Sequence, residues 1–107
     1  MLIKTSDLSR GEKLLVERRR EEQTQAQAAK RRRVSLYIYR KWETDVEQGP
    51  LTKVGRLEPH EQCVIMRRRE EQTAADLAEE LGVCRWWLCQ MEKGVVPHED
   101  LVAHWAA

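Results

Sequence analysis

The residues that most clearly suggest a chemical role are lysines and arginines, and they are concentrated in the first half of the chain. Residues 1–50 contain twelve Lys or Arg against eight Asp or Glu, a net charge of +4. Residues 51–107 contain seven against ten, a net charge of −3. Because basic side chains neutralise phosphates and release the counterions condensed on a nucleic acid, such a partner should meet the first half most strongly.

Cysteine and histidine give weaker signals. Cys63, Cys84 and Cys89 form an odd set without a CxxC pair, which fits free thiols in a reducing compartment. His60 and Cys63 have the i, i+3 spacing of one helix face, but no second ligand pair follows at zinc-finger spacing. No motif-like histidine or glycine-rich loop accompanies Cys84 or Cys89 as a nucleophile. We therefore expect no metal site, no cofactor and no enzymatic activity.

The hydropathy of the chain gives no sign of a membrane. No apolar run is long enough to cross a bilayer, and no charged start precedes an apolar stretch. We expect neither a membrane span nor a secretory signal, and so a soluble cytoplasmic protein.

An internal repeat organises these residues. The heptapeptide RRREEQT occurs at residues 18–24 and again at residues 67–73, an offset of 49. The same offset superimposes other positions, among them Val16 on Ile65, Ala29 on Ala78, Val34 on Val83 and Glu43 on Glu92. The sequence therefore predicts two copies of one unit, in residues 1–49 and 50–107.

The first helix of each copy has a recognisable start. Ser9 and Glu12 have the spacing of a capping box, and Pro59 follows Glu58 at a first helical position. Both first helices are expected to end near the EEQ segment.

The two following helices are also bounded by caps and turns. Thr24 and Thr73 can cap alanine-rich segments that favour helix. Third helices are predicted at about 35–44 and 84–93, the latter between Gly82 and Gly94. Since apolar residues recur at helical spacing throughout, the predicted fold class is all-α.

Both copies resemble a known DNA-binding unit. The segment TAADLAEELGVCRWWLCQMEKG resembles the helix-turn-helix of the phage Cro and CI repressors and of XRE-type regulators, with its Thr cap, Gly-Val turn and final Glu-x-Gly. TQAQAAKRRRVSLYIYRKWE resembles the same unit, although Arg33 replaces the turn glycine and Arg32 takes the usual apolar position. The resemblance implies two tandem helix-turn-helix units with a lambda-repressor-like fold.

In the first copy, the resemblance implies a particular set of DNA contacts. The third helix would enter the major groove, and the start of the second would lie at the phosphate backbone. The positions near the backbone are Gln25, Lys30, Arg31 and Arg33, and those facing the groove are Ser35, Leu36, Tyr37, Arg40 and Lys41. Arg40 and Lys41 suit guanine or phosphate, and Leu36 or Tyr37 can contact a thymine methyl group.

In the second copy the matching positions include Arg85, Trp86 and Gln90. Arg85 suits guanine and Gln90 suits adenine. The second helix of this copy is acidic, however, and Trp86 and Trp87 cannot both point into one core. Three roles stay open for this copy: DNA reading, an interface with a protein partner, and plain packing.

Family members also pair an arginine of the first helix with a glutamate at the end of the third. The matching residues are Arg18 with Glu43 and Arg67 with Glu92, so the resemblance implies two structural ion pairs.

Two functional hypotheses follow. The first is a sequence-specific regulator of transcription, a repressor encoded by a phage or mobile element, which binds double-stranded DNA in the cytoplasm of a bacterial host cell. The second is a protein-binding adaptor or inhibitor that retains the fold and uses the second copy to bind a partner or a second subunit.

Overall fold

The structure is a computed structural model that describes residues 3–106, and these residues form helices joined by turns and loops, with no strand. The prediction of an all-α class is therefore confirmed for this part of the chain. Within residues 3–106, a short 3₁₀ helix, Thr5–Asp7, precedes seven α-helices: α1 (Arg10–Arg20), α2 (Gln25–Arg31), α3 (Leu36–Glu43), α4 (Pro59–Arg69), α5 (Ala74–Leu81), α6 (Arg85–Lys93) and α7 (Glu99–Ala106).

The chain divides into two compact units. The N-terminal unit comprises Lys4–Arg56, and the C-terminal unit comprises Leu57 onward together with Ile3. Residues 50–56 join the N-terminal unit, where the guanidinium of Arg20 donates hydrogen bonds to the carbonyls of Val54 and Arg56.

Side-chain caps fix where the helices of the N-terminal unit begin. Ser9 and Glu12 form a reciprocal capping box at α1, as the sequence predicts. The Thr24 hydroxyl accepts a hydrogen bond from the Gln27 N–H at the start of α2. These bonds satisfy backbone donors that would otherwise lack partners in the first turn, so they stabilise the helices where the sequence places them.

One hydrophobic cluster of the N-terminal unit lies between α2 and α3. Ala28, Ala29 and Tyr39 are buried there, with Val34 and Trp42 packed against them. Because two alanines occupy the α2 side of this contact, the backbones of α2 and α3 can approach closely, and the phenol ring of Tyr39 fills the space between them.

A hydrophobic cluster of the C-terminal unit includes a residue of its fourth helix, α7. The buried residues of this cluster are Cys63, Leu77, Ala78, Leu88, Met91 and Leu101. Leu101 belongs to α7, and Val102 and Trp105 of the same helix also pack against this cluster. Burial raises the pKa of the Cys63 thiol to about 12, so this cysteine is neutral at ordinary pH.

The two units share backbone turns even where their sequences differ. Gly82 follows α5 with a φ of 71°, and Arg33 occupies the equivalent point after α2 with a φ of 60°. Gly94 and Asp45, which follow α6 and α3, have φ values of 75° and 60°. Left-handed backbone is less favourable for residues other than glycine, and at Asp45 it is supported by hydrogen bonds that the side chain accepts from the Ser9 hydroxyl and the Gly11 N–H.

Gly11 lies where α1 meets the end of α3. Its N–H donates a hydrogen bond to Asp45 Oδ1 at 2.9 Å, and an added Cβ would collide with the backbone carbonyls of Glu43 and Trp42. The corresponding contact of the C-terminal unit is made by different residues. His60 takes the place of Gly11, Gly94 takes the place of Asp45, and the imidazole lies against Gly94.

Gly11→Ala is expected to destabilise the N-terminal unit by about 1–3 kcal/mol, the usual cost of overpacking a close contact. Elsewhere in a helix this exchange favours the folded state by roughly 1 kcal/mol, because alanine has the higher helix propensity. Urea denaturation followed by far-UV circular dichroism measures the effect. An unchanged or raised midpoint would contradict the close approach of α1 to the carbonyls of α3.

None of the helices within residues 3–106 combines the length and apolar character that crossing a membrane requires. In the same residues, no group of three or more His, Cys, Asp or Glu side chains is arranged to hold a metal ion. His60, which the sequence places one turn before Cys63, instead has its Nδ1 3.1 Å from the backbone carbonyl of Glu92.

Candidate functional site

A buried carboxylate organises the N-terminal unit. Glu43, at the end of α3, is 2% exposed and accepts two hydrogen bonds from Arg18 of α1, from Nε at 2.7 Å and from Nη2 at 3.3 Å. Arg18 also donates to the Gln23 carbonyl at 3.3 Å. This bidentate pair links α1, the α1–α2 turn and α3, so it fixes the orientation of α3 within the unit.

Two further side chains of the N-terminal unit contact the same carboxylate. Gln25, the first residue of α2, donates from Nε2 to Glu43 Oε1 at 3.2 Å. Burial raises the pKa of the Tyr39 hydroxyl above its ordinary value, and the hydrogen bond from this hydroxyl to Glu43 raises it further. Tyr39 therefore stays protonated and serves as a donor to the carboxylate.

The Gln25 amide extends this network to the protein surface. Its Oε1 accepts a hydrogen bond from Arg40 Nε at 3.4 Å, and Arg40 is exposed on α3. The resemblance places Gln25 and Arg40 at a DNA surface, but nothing in the sequence predicts that the two side chains contact each other. Gln25 and Arg40 lie fifteen residues apart, so their contact arises only when α2 packs against α3, and no local sequence pattern indicates it.

The other basic residues predicted in this unit lie near the α2–α3 turn. Lys30, Arg31 and Arg33 are exposed, while Arg32 turns to form an ion pair with Glu17 of α1 at 2.7 Å. We call the exposed side chains of Lys30, Arg31, Arg33 and Arg40 the basic surface.

The first turn of α3 borders the basic surface. Ser35 caps α3 by accepting a hydrogen bond from the Ile38 N–H. Leu36 is half-buried, whereas Tyr37 is 67% exposed. Lys41 is half-buried, with its Nζ 4.3 Å from the centroid of the Tyr37 ring and 3.4 Å from Glu47 Oε1. An exposed aromatic ring and a hydroxyl thus lie beside the positive charges.

The C-terminal unit repeats the buried ion pair. Glu92 is 3% exposed and accepts from Arg67 Nε at 2.8 Å and from Arg67 Nη2 at 3.3 Å. Ala74 and Leu88 stand at the repeat positions of Gln25 and Tyr39, so the additional contacts to the carboxylate have no counterpart in their side chains. The structure thus brings together both pairs that the resemblance implies.

At the surface, the C-terminal unit reverses the charge of the N-terminal one. Glu79 and Glu80 of α5 stand at the repeat positions of Lys30 and Arg31, and all four side chains are exposed. Asp76 stands where Gln27 stands. The same helix surface is therefore positive in one unit and negative in the other.

The start of α6 presents aromatic side chains. Trp86 is 64% exposed and Trp87 is 37% exposed, with ring centroids 6.3 Å apart. Arg85 is exposed beside them, and Gln90 is half-buried one turn later. Cys84 caps α6 through its Sγ, which accepts from the Trp87 N–H at 3.4 Å. This surface combines a large apolar area with a single positive charge at its start.

Comparison with known proteins adds no relatives to these observations. No protein-family profile, curated protein sequence or solved structure matches the chain.

Proposed function

We propose that the chain is a sequence-specific DNA-binding regulator of transcription of the phage-repressor kind, resembling Cro, CI and XRE-type proteins. In this proposal α2–α3 and α5–α6 are tandem helix-turn-helix units, and the N-terminal unit binds double-stranded DNA. The observation that carries the proposal is the basic surface, where three positive side chains are exposed at the α2–α3 turn and a fourth, Arg40, is exposed on α3. Helix-turn-helix proteins meet phosphates and base edges with this part of the motif.

The buried network supports the same function, because reading bases requires a recognition helix held in one orientation. Glu43 ties α3 to α1 through Arg18 and to the start of α2 through Gln25. Tyr37 and Leu36 at the start of α3 can then contact thymine methyl groups, while Arg40 reaches guanine or phosphate. Recognition of this kind needs no metal or cofactor.

Changing Arg40 and Lys41 together to alanine is expected to weaken binding to a selected DNA duplex by tenfold or more, on the order of 1–3 kcal/mol. Both positive charges lie on the helix proposed to enter the groove, and each phosphate contact contributes through counterion release. Fluorescence anisotropy at constant salt measures the change. The matched control is Arg85→Ala with Lys93→Ala, which removes the same charge from α6. Equal losses in the two double variants would contradict the assignment of DNA binding to the N-terminal unit.

A second candidate function is a protein-binding adaptor that uses the C-terminal unit, and the exposure of Trp86 favours it. The acidic side chains of α5 would repel the phosphates of DNA. An exposed tryptophan beside polar groups, in contrast, is a common anchor at protein interfaces. The partner would be a second copy of the chain or another protein. Such an interface should respond little to salt, unlike a DNA contact.

Two single variants separate the roles of α6. If α6 reads bases, Arg85→Ala should relax preference at one guanine position, because losing a bidentate contact removes about 1–3 kcal/mol of discrimination. If α6 forms an interface, Arg85→Ala should leave base preference intact and Trp86→Ala should lower the apparent mass in solution or abolish capture of a partner. Binding-site selection and light scattering on both variants test the two roles. If neither variant changes base preference or assembly, both functional roles of α6 are wrong.

A further inference from the structure

The Gln25 amide is held between a buried anion and an exposed cation. Its Nε2 donates to Glu43 Oε1 at 3.2 Å, and its Oε1 accepts from Arg40 Nε at 3.4 Å. A carboxylate can only accept and a guanidinium can only donate, so these two partners together fix which way the amide faces. The result is a continuous chain of hydrogen bonds from Arg18, through Glu43 and Gln25, to Arg40 at the surface.

The C-terminal unit shows whether the fold itself requires this series of hydrogen bonds. Ala74 and Cys89 stand at the repeat positions of Gln25 and Arg40. The ion pair between Arg67 and Glu92 nevertheless forms there with nearly the same lengths, 2.8 and 3.3 Å against 2.7 and 3.3 Å for Arg18 and Glu43. The three-helix arrangement and its buried pair therefore form without an amide at this position, so the fold does not require the contact between Gln25 and the exposed Arg40.

Anchoring Arg40 through Nε has a specific chemical consequence. The hydrogen bond to Gln25 uses the inner edge of the guanidinium, and the two terminal nitrogens at its outer end point away from Nε. Those nitrogens form the fork that binds O6 and N7 of guanine in a bidentate arrangement. Holding the long side chain in place before DNA arrives reduces the conformational entropy lost on binding.

We propose that Gln25 is a positioning residue that presents the Arg40 guanidinium to a guanine in the major groove, an inference that rests on the DNA-binding function proposed above. Gln25 acts through Arg40, so its effect should fall on base preference. If Gln25 instead contacted a phosphate itself, Gln25→Ala would lower affinity for all DNA sequences alike.

A double-mutant cycle on the full chain tests this coupling. The probe is the duplex selected from a random pool by the wild-type chain, compared with duplexes in which each guanine pair in turn is replaced by an A·T pair. Gln25→Ala should reduce preference for one guanine by roughly fivefold, part of the discrimination of a bidentate contact. Arg40→Ala should remove preference at the same position, and adding Gln25→Ala to it should have no further effect. Lys41→Ala is the matched control, and its effect should add to that of Gln25→Ala.

A measurement without DNA keeps the inference independent of binding. The Arg40 Nε–H resonance should exchange slowly with water in the wild-type chain and quickly in Gln25→Ala, while circular dichroism shows the same helix content in both. Additive effects of Gln25→Ala and Arg40→Ala, or an unchanged Arg40 resonance, would overturn the positioning role and leave the DNA-binding proposal intact. A wild-type chain that selects no sequence would overturn both.

Discussion

Exchange of Lys30 and Arg31 for glutamate is expected to weaken binding of the chain to duplex DNA by about a hundredfold or more at ~0.1 M salt. Both side chains are exposed at the end of α2, within the basic surface. The exchange removes two positive charges from the proposed phosphate contact and puts two negative ones there. Because each phosphate contact contributes about 0.9 to the slope of log K against log salt, that slope should also flatten by about 2.

The chain itself provides the matched control for this reversal. Glu79 and Glu80 stand at the repeat positions of Lys30 and Arg31, so the fold of the C-terminal unit already accommodates glutamates at the end of this helix. Glu79→Lys with Glu80→Arg reverses the charge in the opposite direction and should preserve or strengthen binding. Circular dichroism should show unchanged helix content in both double variants. Unchanged DNA affinity in the Lys30 and Arg31 variant would contradict the proposal that the basic surface contacts DNA.

Arg18→Ala is expected to destabilise the N-terminal unit by on the order of 3 kcal/mol. The Glu43 carboxylate is 2% exposed, and the variant takes away the guanidinium that donates to both of its oxygens. The remaining donors, Gln25 and Tyr39, are neutral, so they cannot offset the cost of burying the charge. Urea denaturation gives the total loss, and hydrogen exchange of backbone amides locates it in α1–α3.

Two comparisons distinguish the buried charge from a general loss of packing. Replacing both partners, as Arg18→Met with Glu43→Leu, should recover part of the stability, because no uncompensated charge is then left in the interior, although the buried Tyr39 hydroxyl loses its acceptor. Glu47→Ala breaks the exposed pair with Lys41 and should change stability by less than about 0.5 kcal/mol. If the Arg18 and Glu47 variants lose equal amounts, burial of Glu43 is not what makes the first pair important.

Much of the fold could be predicted because its determinants are local. Ser9, Thr24, Ser35 and Thr73 each accept a hydrogen bond from the backbone three residues later, and such caps are legible as short spacings in the sequence. The repeat then transfers each assignment from one copy to the other. The left-handed turn at Gly82 is similarly local, since glycine is the residue that adopts it at least cost.

What the sequence did not reveal depends on contacts between distant side chains. Asp45, whose backbone is left-handed, accepts hydrogen bonds from Ser9 and Gly11, more than thirty residues away. No local sequence pattern predicts these hydrogen bonds. The bond between Gln25 and Arg40 likewise exists only because α2 and α3 pack together. The reversal of charge between Lys30 and Glu79 was legible in the sequence, but their common exposure required the structure.

Sequence-specific DNA binding by the unmodified chain is tested most directly by its salt dependence. The ligand is a duplex selected by that chain from a random-sequence pool, and a scrambled duplex of equal length serves as the reference. We expect tighter binding to the selected duplex at every salt concentration, and a log–log salt slope of about −3.6 or steeper, as four or more phosphate contacts would give. Equal affinity for the two duplexes, or a slope near zero, would contradict a sequence-specific DNA-binding role for the basic surface.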